Sequence, residues 1–255
     1  MQKLFTEGLY DEKQKQTEIG LVPESWEVVK LGKCLNLSQY GLSAKGSDSG
    51  NIAILRMTNQ KNGYICDTNL QYVNISNIEY SKFKVEKDDV IFNRTNSFEL
   101  VGRTAIFKLE ANFVFASYLI RIKTKNDILM PDFLNIYLNS DITQMRLKSI
   151  ATQGVSQSNI SATRLSGFKI LLPPLSVQNK LVSIYLKMDN KIDYYKKKKQ
   201  TLTSLFKTLL HELMTGQKRV NDIEFDKIVK LYDITEPPIN MVAEDNIMYG
   251  NTERT

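Results

Sequence analysis

The stretch LSVQNKLVSIYLKMDNKIDYYKKKKQTLTSLFKTLLHELM, residues 175–214, decides how the rest of the chain is read. No glycine or proline interrupts it, and apolar residues fall at Leu181, Ile184, Met188, Ile192, Tyr195, Leu202, Phe206, Leu209 and Leu213. Their spacings of 3, 4, 4, 3, 7, 4, 3 and 4, with Lys199 at the skipped seam position, form a heptad pattern with one four-residue stutter. A helix of about 40 residues at 1.5 Å per residue is a rod about 60 Å long. A preceding domain of about 170 residues covers only part of such a seam, so the remainder lies along that domain or pairs with a second long helix. Lys196 to Lys199 point all round a helix, which suits a solvated surface as well as a phosphate-binding patch.

Working back from the rod, Pro173-Pro174 stop a strand-like run at 168–172, and residues 154–161 read as a loop. Before that, a helical stretch begins at Pro131, with Phe133, Ile136, Tyr137, Ile142, Met145 and Leu147 in an imperfect stripe that ends at 151–154. Short, β-branched runs at 26–31, 51–57, 85–93, 104–107 and 114–123 are separated by Gly, Asn, Asp and Ser, with turn-rich segments at 38–50 and 93–102. This pattern predicts an α+β chain: a mixed, curved β-sheet domain with helices over residues 21–174, then one long coiled-coil-forming helix over 175–214. Residues 1–20 read as a polar lead-in, loose or partly helical, and 215–255 as a polar, partly disordered tail.

Composition narrows the function. The 255 residues carry 34 Lys and Arg against 28 Asp and Glu, a net charge of +6, with 42% hydrophobic and 24% charged residues, which excludes disorder throughout. The charge is uneven: residues 1–174 hold 21 basic and 17 acidic side chains, 175–217 hold 8 and 3, and 218–255 hold 5 and 8. A basic domain and a strongly basic rod favour an acidic partner, of which nucleic acid is the commonest. No run approaches the roughly 18 apolar residues of a membrane span, and the start is too polar for a signal peptide, so no membrane and a cytoplasmic location are expected. Cys34 and Cys66 lie far apart and His211 is the single histidine, so neither a disulfide framework nor a metal site is predicted.

Catalytic equipment is missing by motif. Gly32-Lys33 is followed by Cys34 and not by Ser or Thr, and there is no GxGxxG, HExxH or GxSxG. Glu236-Pro237-Pro238-Ile239 has the proline pair of a base-gripping methyltransferase loop but neither its small polar residue nor its aromatic. Asp11-Glu12-Lys13 has a nuclease-like Asp-x-Lys spacing without a positioned upstream acid. The chain reads as a binder with no catalytic residue.

Three ordered motifs then carry a resemblance. Leu21-Val-Pro-Glu-Ser-Trp26 through Lys30-Leu31-Gly32; Asp88-Asp89-Val-Ile-Phe-Asn-Arg-Thr-Asn-Ser97 with Leu100-Val-Gly102; and Gly154-Val-Ser-Gln-Ser-Asn-Ile-Ser161 with Leu165, Ile170-Leu-Leu-Pro-Pro-Leu175 and Gln178 resemble the specificity subunit of type I restriction-modification systems. Asp88 stands where that family usually has Gly. The resemblance implies a target recognition domain at 21–174 that reads double-stranded DNA, and a long helix at 175–214 for dimerisation and docking of methylase subunits. It places S-adenosylmethionine, ATP and magnesium in the partner methylase and restriction subunits and no cofactor in this chain. Full-length members carry two recognition domains and two long helices as an internal repeat, whereas each motif occurs once here, as in a half-length subunit. An antiparallel homodimer would put two recognition domains at opposite ends and make the target bipartite.

Base reading needs Arg toward guanine and Asn or Gln toward adenine; phosphate positioning uses Lys, Arg, Ser and Thr. Asn93, Arg94, Thr95 and Ser97 offer both kinds at a strand end, and a hydrogen-bonded structural turn is the equal alternative. Ser43 and Lys45 in the first loop, with Arg56, Asn59 and Gln60, form a second set. Gln153, Ser156 and Gln157 form a third, although their place in a family-wide motif fits a structural role as well. Two rival readings stay open: a non-enzymatic adaptor whose long helix binds another protein, and a truncated copy that recombines with an intact specificity gene and is inactive alone.

Overall fold

Val90–Asn93 begins with three consecutive apolar residues, and in the computed structural model it is a strand buried along its whole length. A run apolar on both faces belongs in the middle of a sheet. It is flanked by Leu119–Thr124 and Thr104–Ile106, both antiparallel to it. The sheet continues to Leu35–Tyr40 on one side and to Tyr64–Ile65 and Gln60–Lys61 on the other, six strands in all. Thr104–Ile106 and Tyr64–Ile65 run parallel, which makes the sheet mixed. A second sheet of three strands, Phe113–Phe115, Ile52–Leu55 and Gln71–Val73, also mixes both senses.

The structure describes residues 2–10 and 12–220. Asp11, residues 236–239 and most of the expected tail lie outside the described residues. The chain divides into two units, Met1–Val182 and Ser183–Thr255. The fold class is α+β: the mixed sheets and their helices come first, and one continuous helix, Leu175–Met214, closes the described chain at the bounds the heptad pattern predicts. Val177, Gln178, Leu181 and Val182 of its first turns are buried in the first unit. Gln178 is the anchor, donating to the carbonyls of Ile128 and Pro173 at 2.9 and 2.8 Å and accepting from Met130 N at 2.9 Å.

Between the two sheets Leu55, Ile91, Ala105, Phe107, Phe113, Phe115 and Leu119 form a core, with Phe107 and Phe113 edge to face at 5.7 Å. At the burial found for these side chains, each Leu, Ile and Phe among them stabilises the domain by roughly 1.5–3 kcal/mol relative to exposure.

Several elements differ from the sequence expectation. The stripe from Pro131 is two helices, Pro131–Leu138 and Asp141–Ser149. Asn139 breaks it: its side-chain amide donates to Thr104 O at 2.9 Å and accepts from Thr104 N at 3.1 Å, as a strand partner would. The run 114–123 is two strands joined by a turn at 116–118. The opening residues, expected to be loose or partly helical, hold a helix Gln2–Thr6 and a hairpin, Gln14–Thr17 with Gly20–Pro23. Phe5 fastens that segment, edge-on to Phe133 and Tyr137 at 6.0 and 5.8 Å. Leu35–Tyr40 and the capped helix Asn77–Phe83 carried too little periodicity to be read from sequence.

Candidate nucleic-acid interface

The turn at 116–118 gathers the candidate loops. Leu42 N donates to Phe115 O at 2.8 Å and Ser117 N to Leu42 O at 2.9 Å, which roots the loop that carries Ser43 and Lys45. Ala116 N donates to Leu55 O at 3.0 Å, one residue before Arg56. Arg94 N donates to Tyr118 O at 3.2 Å. Gly41 permits this convergence, because a Cβ there would sit 2.3 Å from the carbonyl oxygens of both Phe115 and Ala116.

A short three-stranded ribbon adds the third set. Thr95–Asn96 pairs with Ser158–Asn159, which pairs with Thr152–Gln153, all antiparallel. Asn96, Ser158 and Gln153 share one rung, so Ser97, Gln157 and Gly154 leave the ribbon at the same end. Gln153, Ser156 and Gln157 are exposed there, as are Ser43 and Lys45 in their own loop. The segments 93–97 and 153–157, 56 or more residues apart in sequence, are thus one surface.

Not every predicted residue is available to a ligand. Asn59 is a correction: it is fully buried, accepts from Arg56 N at 3.0 Å, and donates to the carbonyls of Thr68 and Cys66 at 3.0 and 3.3 Å. Its amide closes the 3-10 turn Met57–Asn59, so it shapes the loop from inside. Gln60 is half-buried and donates to Ile91 O at 2.9 Å, which makes it a sheet-edge brace. Asn93 is buried within the strand ladder, its N–H on Arg103 O and its carbonyl accepting from Gly102 N, both at 2.8 Å.

Arg94 is half-buried and engaged. Its guanidinium lies over the Tyr40 ring at 4.6 Å and donates to Ser117 O and Asn159 Oδ1, both at 3.3 Å. Asn159 in turn donates to Thr95 Oγ1 at 2.7 Å. Tyr40, Asn159 and Arg164 are the supports that sequence reasoning missed. Arg164 holds the outer ribbon strand through Thr152 Oγ1 at 2.7 Å and Ile150 O at 2.8 Å. Arg56 reaches Asn69 O at 2.8 Å. Nε of Arg56 and of Arg94 and Oδ1 of Asn93 are buried here without a hydrogen-bond partner, as are Trp26 Nε1, Ser38 Oγ and Arg121 Nε elsewhere in the first unit.

Behind the loops, electrostatics hold the scaffold. Arg121 is buried, 3.9 Å from Asp89 and bonded to the Gln39 side chain at 2.9 Å and to Lys84 O. Burial pushes the Asp89 carboxyl up to about 6 despite Arg121 and the Glu86 N–H that it accepts. Glu86 is held down at about 2 by hydrogen bonds from Lys123 and Lys84. Asp88 has a positive φ of 69°, the left-handed conformation that glycine adopts most easily, and bonds Lys108 at 2.6 Å.

Along the second unit, Met188, Ile192, Tyr195, Leu202 and Phe206 of the predicted seam are 44, 48, 46, 40 and 65% exposed. Ile184, Leu209 and Leu213 are partly covered. Leu181 is a correction: it is buried in the first unit and cannot serve pairing. Among the described residues no helix is long and apolar enough to cross a membrane, and no three His, Cys, Asp or Glu side chains are grouped to hold a metal ion.

Comparison with known proteins agrees with the motif order. Residues 23–204 match the family model for the type I restriction modification DNA specificity domain. The chain is 31% identical over 208 residues to a Methanocaldococcus jannaschii protein assigned to the MjaX type I restriction enzyme as its specificity subunit, covering 80% of this chain and 49% of that one. It is 26% identical over 233 residues to the MjaVIII specificity subunit of the same organism, covering 88 and 54%. The chain therefore spans about half the length of these relatives. In structure it is similar to the S subunit from M. genitalium, with a TM-score of 0.51 and 16% identity over 81% of this chain and 49% of that one. A chain from a type I R-M system structure gives 0.54 at 17% identity, over 74 and 44%.

Proposed function

Because the chain belongs to the type I restriction-modification DNA specificity domain family, we propose that it is the non-catalytic, DNA-reading subunit of such a system. Ser43, Lys45, Arg56, Thr95, Ser97 and the tip at 153–157 bind double-stranded DNA, and its long helix pairs with a second copy and docks methylase subunits. The observation that carries this reading is the convergence of the polar segments after Leu42, Leu55 and Asn93 on the turn at 116–118, with the 153–157 tip joined to them through the ribbon. Phosphate contacts would come from Lys45 and the flanking basic residues, and base contacts from the exposed Gln and Ser side chains. Methyl transfer and cleavage, with S-adenosylmethionine, ATP and magnesium, belong to the partner subunits.

The exposed seam from Met188 to Phe206 supports pairing of two copies through antiparallel helices. Two recognition domains related by a two-fold axis would read a bipartite site whose gap is set by the rod. An adaptor that bound only protein through this seam would lack the salt signature of phosphate contacts.

The test is co-purification with the cognate methylase subunit, followed by mapping of methylated positions in genomic DNA. A single bipartite motif methylated only when both proteins are present is the expected result. Failure to bind duplex DNA at low salt, together with unmodified genomic DNA, would remove the proposal.

A further inference from the structure

The stretch of the rod that is open to a partner has a fixed beginning and end. Leu181 and Val182 are buried in the first unit, and the helix stops at Met214. Between those limits eight seam positions run from Met188 to Leu213, alternately four and three residues apart, and Lys199 is the one that carries a charge. Ile184 falls outside the run, because it stands four and not three residues before Met188. Lys199 lines a shallow groove on this face with Tyr195, Lys198, Leu202, Thr203 and Phe206. Two identical helices that meet antiparallel can match seam to seam only if their two-fold axis falls at one of a few places, spaced half a heptad apart along the rod.

An axis between Gln200 and Thr201 leaves none of the eight positions over. It sets Met188 against Leu213 of the second copy, Ile192 against Leu209, Tyr195 against Phe206 and Lys199 against Leu202, each twice by symmetry. Lys191 and Glu212 of the other copy then flank the seam as opposite charges. Moving the axis half a heptad toward the N-terminus turns Leu213 to Leu181, which its own domain has already buried, and sets Lys196 against Lys196 and Lys198 against Lys198. Moving it the other way leaves Met188 and Ile192 facing residues beyond the end of the helix. A parallel pair in register would bring the two Lys199 ammonium groups face to face, whereas in the antiparallel pair each stem lies on a Leu202 and its charge reaches solvent. We propose that Lys199 is a positioning residue of the homodimer: it excludes the parallel pair, and the two ends of the exposed seam then fix the antiparallel register about Gln200 and Thr201. The assignment rests on the pairing of two copies proposed above and adds its direction and register, which set how much of the rod separates the two recognition domains and so the gap in a bipartite site.

The test uses the full chain with Cys66→Ser, which leaves buried Cys34 as the one native thiol, and links new cysteines by oxidation with diamide. Ile192→Cys with Leu209→Cys should give a disulfide-linked dimer, because the two positions face each other across the pair. Ile192→Cys alone should give none, since its counterpart lies about 25 Å away along the rod. Lys199→Leu should tighten the dimer by at least about tenfold in sedimentation and allow Ile192→Cys alone to link, as parallel pairs are no longer penalised. Charge reversal reads the register without touching the seam: Lys191→Glu should weaken the dimer by about two- to fivefold, and adding Glu212→Lys should restore it. A wild-type dimer in which Ile192→Cys alone links, or in which neither the 192–209 disulfide nor the restoration by Glu212→Lys is seen, overturns the register and leaves pairing intact. A Lys199→Leu protein in which Ile192→Cys stays unlinked overturns the role of Lys199. A wild-type protein that is a strict monomer overturns both the register and the pairing.

Discussion

The guanidinium of Arg94 rests on the ring of Tyr40, 4.6 Å from its centroid, and joins the end of one strand to the start of the recognition ribbon. Tyr40 itself accepts from Ala162 N at 2.8 Å, so one aromatic ring links residues 40, 94 and 162. Removing the guanidinium forfeits a stacked cation and two hydrogen bonds to partly buried acceptors. Arg94→Ala should cost about 1–3 kcal/mol in urea unfolding. It should also lower DNA affinity through the loosened ribbon; unchanged stability with unchanged affinity would contradict both roles.

Gly41 has no room for a side chain. Gly41→Ala must displace the backbone carbonyls of Phe115 or Ala116, both 2.3 Å from the added carbon. The expected loss is about 2–4 kcal/mol, read by chemical denaturation, with larger losses in DNA binding than in helical content because the candidate loops share this root.

Asp88 tests the left-handed turn before the central strand. Asp88→Ala loses the Lys108 contact and keeps the strained φ, for an expected cost of about 1–2 kcal/mol. Asp88→Gly trades the same contact for an unstrained backbone and should stay within about 0.5 kcal/mol of wild type. An equal loss in both variants would place the effect in the ion pair alone.

Stability should respond to pH through Asp89 and Glu86 in opposite senses. The folded Asp89 carboxyl titrates near 6, above its unfolded value, so its contribution is complete in acid and is lost as pH rises through 6. Glu86, depressed to about 2, contributes above its unfolded value and loses that contribution as pH falls toward 2. Asp89→Asn keeps an oxygen for the Glu86 N–H and should flatten the decline in melting temperature between the unfolded carboxyl value and pH 6. A variant with the wild-type slope would show that another group titrates there.

The seam predicts the assembly state. Ile192→Asp with Phe206→Asp places charge on two exposed seam positions and should shift the protein toward monomer in sedimentation at micromolar concentration, with the melting of residues 1–182 unchanged. A wild-type protein that is already a strict monomer would count against pairing of two copies.

What was legible in the sequence follows from how local the signal is. The rod was readable because nine apolar positions follow a heptad pattern broken by one stutter, no Gly or Pro interrupts it, and Pro174 marks its start. Asp88, at the position where the resemblance led us to expect glycine, occupies a left-handed turn. Leu35–Tyr40 was not readable, since its sequence LNLSQY lacks β-branched residues and its strand character comes from pairing with Leu119–Thr124. Asn59 and Arg94 have the chemistry of base readers, and only burial and partners showed that one supports its loop from within and the other is committed to Tyr40.

The shared root at 116–118 has a consequence for how new specificities can arise. Gly41, the carbonyls of Phe115 and Ala116, and the strand ends at Leu55 and Asn93 lie beneath the loops, while Asn59, Arg94 and Asn159 brace them from within. A laboratory graft of loop sequence from a relative should therefore keep both sets, the attachment points and the internal braces, and change only the text between them.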